Sequence, residues 1–132
     1  MDQIYRENII YHYKNPQYTE SIKAPTHKSK LANYSCGDEI ELELEIKNGV
    51  VKNVAHKTTG CAISVAGASI LSEFIVGKKV EEISKMDKNK ITELMGIELS
   101  PSRLKCALLS LEAFRKALGN QGGSIVKKRG VN

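Results

Sequence analysis

What this 132-residue chain lacks already narrows what it can be. It has no apolar run near the roughly 20 residues a membrane span requires. Its best stretch, Ala62 to Val76, is broken by Ser64, Gly67, Ser69, Ser72 and Glu73, so no membrane partner is expected. Met1-Asp2-Gln3 opens neither a basic n-region nor an apolar h-region; no secretory signal is read, and the cytoplasm is the expected address. Aromatics are few, five tyrosines and two phenylalanines, and none are arranged as a base-stacking platform. Cysteines number three, an odd count that does not make a disulfide framework and that points to a reducing compartment.

What is present is ordinary for a globular chain: 41% hydrophobic and 27% charged residues. The length suits one domain with a real core. The net charge of +5 suggests nucleic acid, but its distribution does not. Lys127, Lys128 and Arg129 follow Gln121-Gly122-Gly123-Ser124, and most other lysines are interleaved with glutamates. A solvated tail accounts for the excess, and no nucleic-acid partner is expected. The expected organisation is one domain over residues 1–120 and a flexible tail over 121–132.

Ile4, Tyr5, Ile9, Ile10 and Tyr13 are spaced for an amphipathic helix over about 3–14, ended by Asn15-Pro16. Residues 17–30 read as a polar loop, and a strand is expected around 31–35. Ile40, Leu42, Leu44 and Ile46 alternate with Glu41, Glu43, Glu45 and Lys47, the period of a strand with one buried face. Asn48-Gly49 then signals a hairpin. A two-residue loop opposes Leu44 to Asn53 and Ile40 to Lys57. A three-residue loop opposes Leu42 to Val54 and Ile40 to His56, and it is the expected register because it keeps one face more apolar. Beyond Gly60 the pattern turns helical. The segment from Ala62 stops at Gly77, a short helix covers 80–85, and one capped by Asp87 runs from Lys88 to Met95 and is closed by Gly96. A last helix starts at Ser100-Pro101 and ends near Leu118. The fold class is α+β: an N-terminal helix, a three-stranded antiparallel sheet and a C-terminal group of helices.

Each cysteine sits where a thiolate is favoured. A lone cysteine is ordinarily a small buried hydrophobe. On a helical wheel, however, Leu104, Ala107, Leu108, Leu111, Phe114 and Leu118 form one stripe, and Cys106 falls about 120° from its centre. Arg103, Lys105 and the helix N-terminus add positive charge beside it. Cys61 stands between Gly60 and a helical segment, where backbone N–H groups favour a sulfur anion. Cys36 precedes Gly37-Asp38, a tight turn that lets the Cys36 and Asp38 side chains converge, although Asp38 also suits a plain Asx-turn. Cys36, Asp38, Cys61 and Cys106 together make a four-ligand set suited to zinc or iron. Their wide separation matches no short zinc finger. His56, facing Ile40, reads as a hydrogen-bonded core residue rather than a ligand, and His12 and His27 as structural or solvated.

Four motifs stand in order: Tyr11-His12-Tyr13-Lys14-Asn15-Pro16, Cys36-Gly37-Asp38, Thr59-Gly60-Cys61-Ala62-Ile63-Ser64 and Arg103-Leu104-Lys105-Cys106. Across about residues 4–118 the chain resembles the U-type iron–sulfur cluster assembly proteins, which include IscU, SufU and the N-terminal domain of NifU. The resemblance implies a three-stranded α+β fold and a pocket of Cys36, Asp38, Cys61 and Cys106. It implies a transient 2Fe-2S cluster or Zn2+ in that pocket. It also implies a pyridoxal-phosphate cysteine desulfurase as persulfide donor, apo iron–sulfur acceptor proteins as recipients, and a monomer or weak homodimer. IscU-type proteins carry histidine immediately before the third cysteine, in a Leu-Pro-Pro-Val-Lys context read by a dedicated Hsp70-type chaperone. Here Lys105 and Leu99-Ser100-Pro101-Ser102-Arg103 stand instead. The Arg-x-Lys-Cys pattern is similar to SufU, yet the 45-residue step from Cys61 to Cys106 leaves no room for the usual SufU insertion.

The leading expectation is a scaffold that accepts persulfide sulfur, gathers iron and passes a nascent cluster on. Cys106 or Cys36 is the expected acceptor, with Lys105 as an assisting charge that could pair with Asp38. The alternative is a SufU-like zinc-dependent sulfurtransferase that builds no cluster. A structural zinc module is a third class, and it leaves the thiolates unexplained.

Overall fold

The computed structural model describes residues 2–33 and 37–122. Helix α1 spans Asp2–Lys14, and three strands follow: β1 His27–Asn33, β2 Asp38–Lys47 and β3 Val50–Thr59. Helices α2 Ala62–Ile75, α3 Val80–Ser84, α4 Lys88–Met95 and α5 Pro101–Gly122 complete the order. The strands form one antiparallel sheet in the order β1-β2-β3, so the expected α+β architecture is the observed one. Helix α2 lies against β3, α5 against β1 and β2, and α1 packs on α2. Ile40, Leu42, Leu44, Val51 and Val54 from the sheet meet Leu71, Ile75, Leu111 and Phe114 in one core. Among the described residues, no helix is long and apolar enough to cross a membrane.

The hairpin differs from expectation in register. Lys47 pairs with Val50 across Asn48 and Gly49, whose φ angles of 54° and 76° are those of a type I′ turn. The tight loop is therefore the two-residue one. A bulge then shifts the register between Glu45 and Ile46: Ile46 opposes Val51 but Glu45 opposes Asn53, leaving Lys52 extra. Past the bulge Leu44 faces Val54, Leu42 faces His56 and Ile40 faces Thr58. The extra residue restores the apolar face that an unbroken two-residue hairpin would have turned outward.

Two further boundaries move. Strand β1 begins at His27, inside the stretch read as loop, because Lys28 and Lys30 alternate with Ser29 and Leu31 opposite the glutamates of β2. Residues 34 and 35 lie outside the described residues. Helix α5 runs through Gly119 to Gly122; one glycine costs a helix only about 1 kcal/mol, too little to end it alone.

The chain after α1 is held by two buried histidines. His12 Nδ1 lies 2.6 Å from Ser69 Oγ, which also accepts the Gln17 backbone N–H at 2.8 Å. His56 is 2.8 Å from the Gln17 carbonyl through Nε2 and 2.9 Å from Thr58 Oγ1 through Nδ1. Its backbone N–H donates to Tyr18 O, so residues 17–18 cover the free edge of β3. Both rings are structural, as expected.

Burial pushes the His56 pKa below its ordinary value, and the bond to Gln17 O only partly opposes this. The folded state thus keeps a neutral ring while the unfolded chain takes a proton near pH 6.5. The stabilisation is complete above that pH and is lost as pH falls towards the folded pKa, with a slope of at most about 1.4 kcal/mol per pH unit. Denaturant midpoints of the wild type should fall between about pH 6.5 and 5, and those of His56→Gln should be lower but flatter across that window. Parallel slopes would remove this role from His56.

Candidate metal centre

The centre is assembled where β2 begins and where α2 and α5 begin. Asp38 is the first residue of β2 and is almost fully buried, at 1% exposure. Its Oδ1 accepts the Cys61 backbone N–H at 2.9 Å. Helix α2 has no acidic residue in its first turn and no side-chain cap of its own. Asp38 supplies the anion from outside, against the partial positive charge of the helix N-terminus.

This contact requires Gly60. Its φ of +138° is one that side-chain-bearing residues rarely adopt. A Cβ there would land on Asp38 Oδ1 and lie 2.9 Å from Asp38 Cα. The glycine between Thr59 and Cys61 therefore does more than turn strand into helix: it leaves the space the carboxylate fills.

Cys61 is half-buried, and its sulfur lies 3.5 Å from Ser64 Oγ, one helical turn on. Cys106 Sγ is near the Ser102 carbonyl of the preceding turn, at 3.5 Å. One ligand atom from each of Asp38, Cys61 and Cys106 lies within 4.8 Å of the others, close enough to share one ion. Among the described residues, the buried Asp38 Oδ2 has no hydrogen-bond partner. A buried orphaned carboxylate oxygen beside two sulfurs fits a thiophilic metal that also accepts one hard ligand.

The electrostatics agree. Burial pushes Asp38 up, but the Ser64 hydroxyl, the Cys61 amide and the Cys106 thiol together hold it below its ordinary value. Burial and the Asp38 charge raise Cys61; the Ser64 hydroxyl and amide and the Cys106 thiol outweigh them, and its net shift is downward. Both groups are thus biased towards the anions that bind metal.

Three of the four expected ligands are brought together. Cys36 lies outside the described residues; Gly37, its neighbour, donates its N–H to Asn33 O at 2.9 Å and leads into Asp38. Cys106 belongs to the buried core, contrary to its place off the stripe on the helical wheel. Cys106 is 4% exposed, and Ser110 and Ala113 on its side of the helix are buried too. Helix α5 is covered on two sides, by α2 and by the sheet, so its buried arc is wider than one stripe. Lys105 is exposed, and among the described residues no ion pair joins it to Asp38. Ser64 was not singled out from sequence, although its position three residues after Cys61 places it on the same helix face.

The sequence profile of the NifU-like N terminal domain matches residues 4–127. The chain belongs to this family. Among curated relatives of this NifU-like domain, the zinc-dependent sulfurtransferase SufU of Bacillus subtilis is 30% identical over 93% of this chain and 95% of its own. The iron–sulfur cluster assembly scaffold protein IscU of Thermotoga maritima is 32% identical, covering 87% and 92%. The crystal structure of FiSufU, from the SUF system of Fervidobacterium islandicum, superposes with a TM-score of 0.73 at 28% identity, over 88% of this chain and 97% of that one. A NifU-like N-terminal protein from Brucella abortus shares the fold, with a TM-score of 0.72 at 19% identity.

Gly60→Ala tests the geometry of the centre. The backbone strain alone should cost about 1–3 kcal/mol. Displacement of Asp38 should weaken zinc binding by about 10-fold or more, as loss of support to a ligand does. Competition with a chromogenic chelator measures the second effect; unchanged affinity would mean that Asp38 is not placed by this glycine.

Proposed function

We propose that this NifU-like domain is a scaffold for nascent iron–sulfur clusters, with Cys61, Cys106, Asp38 and Cys36 as the ligand set. The observation that carries the reading is the convergence of two cysteine sulfurs and a buried carboxylate oxygen within 4.8 Å, on a carboxylate whose second oxygen Oδ2 has no hydrogen-bond partner among the described residues. The names of the relatives, scaffolds for the most part, support it.

The sulfur donor is a cysteine desulfurase. A thiolate of the domain attacks the outer sulfur of the donor's persulfide; a new S–S bond forms, the donor's S–S bond breaks, and the donor cysteine leaves as thiolate. Conversion of the transferred sulfur to sulfide takes two electrons from an external reductant. Half-buried Cys61 sits at the mouth of the centre, and Cys106 and Cys36 are the acceptor candidates from sequence. Lys105, exposed beside Cys106, supplies positive charge towards an approaching anion. Iron and the 2Fe-2S cluster are cargo, and apo iron–sulfur proteins receive them. One carboxylate among thiolates is the hard, weaker ligand that lets the cargo leave. Residues 1–120 carry this activity.

A second reading is favoured by the likeness to the Bacillus subtilis relative and by Lys105 before Cys106. In it the same residues hold Zn2+, which would stabilise the ligating thiolates, and the domain accepts sulfur without building a cluster.

Anaerobic incubation with desulfurase, cysteine, ferrous iron and a thiol reductant separates the two. The scaffold reading predicts visible cluster absorbance that moves to an apo-ferredoxin, and Asp38→Ala should slow that transfer several-fold. Retained zinc, faster desulfurase turnover and no cluster would establish the sulfurtransferase instead.

A further inference from the structure

Ser64 is a buried polar residue that the ligand set leaves without a role. It is 2% exposed and lies in the first turn of α2, where nothing in helix formation calls for serine. Another serine of this helix has an evident structural duty: Ser69 ties α2 to His12 and Gln17. The hydroxyl of Ser64 instead points at the centre, 3.5 Å from Cys61 Sγ.

The chemistry fixes the direction of that contact. A free thiol can donate to the serine or accept from it. A thiolate, metal-bound or not, has no proton, so the hydroxyl must then be the donor. Among the described residues, the side-chain contact this hydroxyl makes is the one to the Cys61 sulfur.

We propose that Ser64 is a positioning residue of the centre: its hydroxyl donates to the Cys61 thiolate of the loaded protein, orienting that sulfur and limiting its electron donation to the bound metal. This rests on the reading of Cys61 as a ligand. Hydrogen-bonding partners of first ligands commonly govern affinity and electronic properties of a metal site. Here the donor is local, three residues along the same helix, so it moves with its ligand. It also shares a rigid turn with the backbone N–H of Cys61 that holds Asp38.

The test is the cobalt-loaded full chain, with Ser64→Thr and Ser64→Val as a matched pair. The two side chains have nearly the same shape, and only the first keeps a hydroxyl. Ser64→Ala serves where the branched variants fail to fold by circular dichroism. Loss of the hydroxyl should raise the cobalt dissociation constant about 10-fold. It should also move the thiolate-to-cobalt charge-transfer band to longer wavelength, because an unbonded sulfur lone pair lies higher in energy. Ser64→Thr should stay close to wild type in both readouts, with Ser64→Val and Ser64→Ala displaced together. Bands and affinities unchanged in Ser64→Val or Ser64→Ala, or equally displaced in Ser64→Thr and Ser64→Val, overturn the proposal. Wild-type protein that binds cobalt without a thiolate band overturns the ligand reading itself, and this inference with it.

Discussion

The bond from the Cys61 backbone N–H to Asp38 Oδ1 is the contact on which the centre depends. It ties the first residue of β2 to the N-terminus of α2, two points 23 positions apart in sequence. A carboxylate buried this deeply would ordinarily take up a proton. The helix N-terminus, the Cys61 amide and neighbouring hydroxyl and thiol groups keep it an anion instead. Its second oxygen has no partner among the described residues, a standing cost in a folded protein unless something binds there.

The remaining architecture brings the second sulfur to that oxygen. The small residues of α2 permit this: a Cβ on Gly67 would already lie 3.6 Å from the Ala107 backbone, so the two helices approach closely. Ala107 adjoins Cys106, and the close crossing fixes the depth at which its thiol enters. The sheet that holds Asp38 also fixes α5, because the Ser29 hydroxyl of β1 donates to Ala113 O at 2.7 Å. A site built from three element ends can be rigid and still open at its rim, where Cys61 is half-buried. That combination suits a protein that must admit sulfur and iron and then release them.

Much of this was legible in the chain. The alternation from Ile40 to Ile46, the Asn48-Gly49 turn, the Asp87 cap and the Ser100-Pro101 start each follow from local chemistry, and each marks a real element. The register was not legible, because Lys52 inserts one residue for reasons of face polarity that act across the sheet rather than along it. The setting of Cys106 was misread because a wheel assumes one buried stripe, whereas α5 is covered by both α2 and the sheet. Along the chain Gly60 only marks where the helical pattern begins; that it makes room for the carboxylate of Asp38 is a tertiary fact. Ser64 looked like one small residue among several until the positions of Cys61 and Asp38 gave its hydroxyl a target.

The central claim is that the sulfurs of Cys61 and Cys106, a carboxylate oxygen and Cys36 form one coordination sphere. X-ray absorption at the zinc edge of the zinc-loaded chain tests it most directly. The account predicts three sulfurs at about 2.3 Å and one oxygen at about 2.0 Å, with one sulfur lost in each cysteine-to-serine variant. A first shell of nitrogen and oxygen alone, or a spectrum indifferent to Cys61 and Cys106, would contradict it.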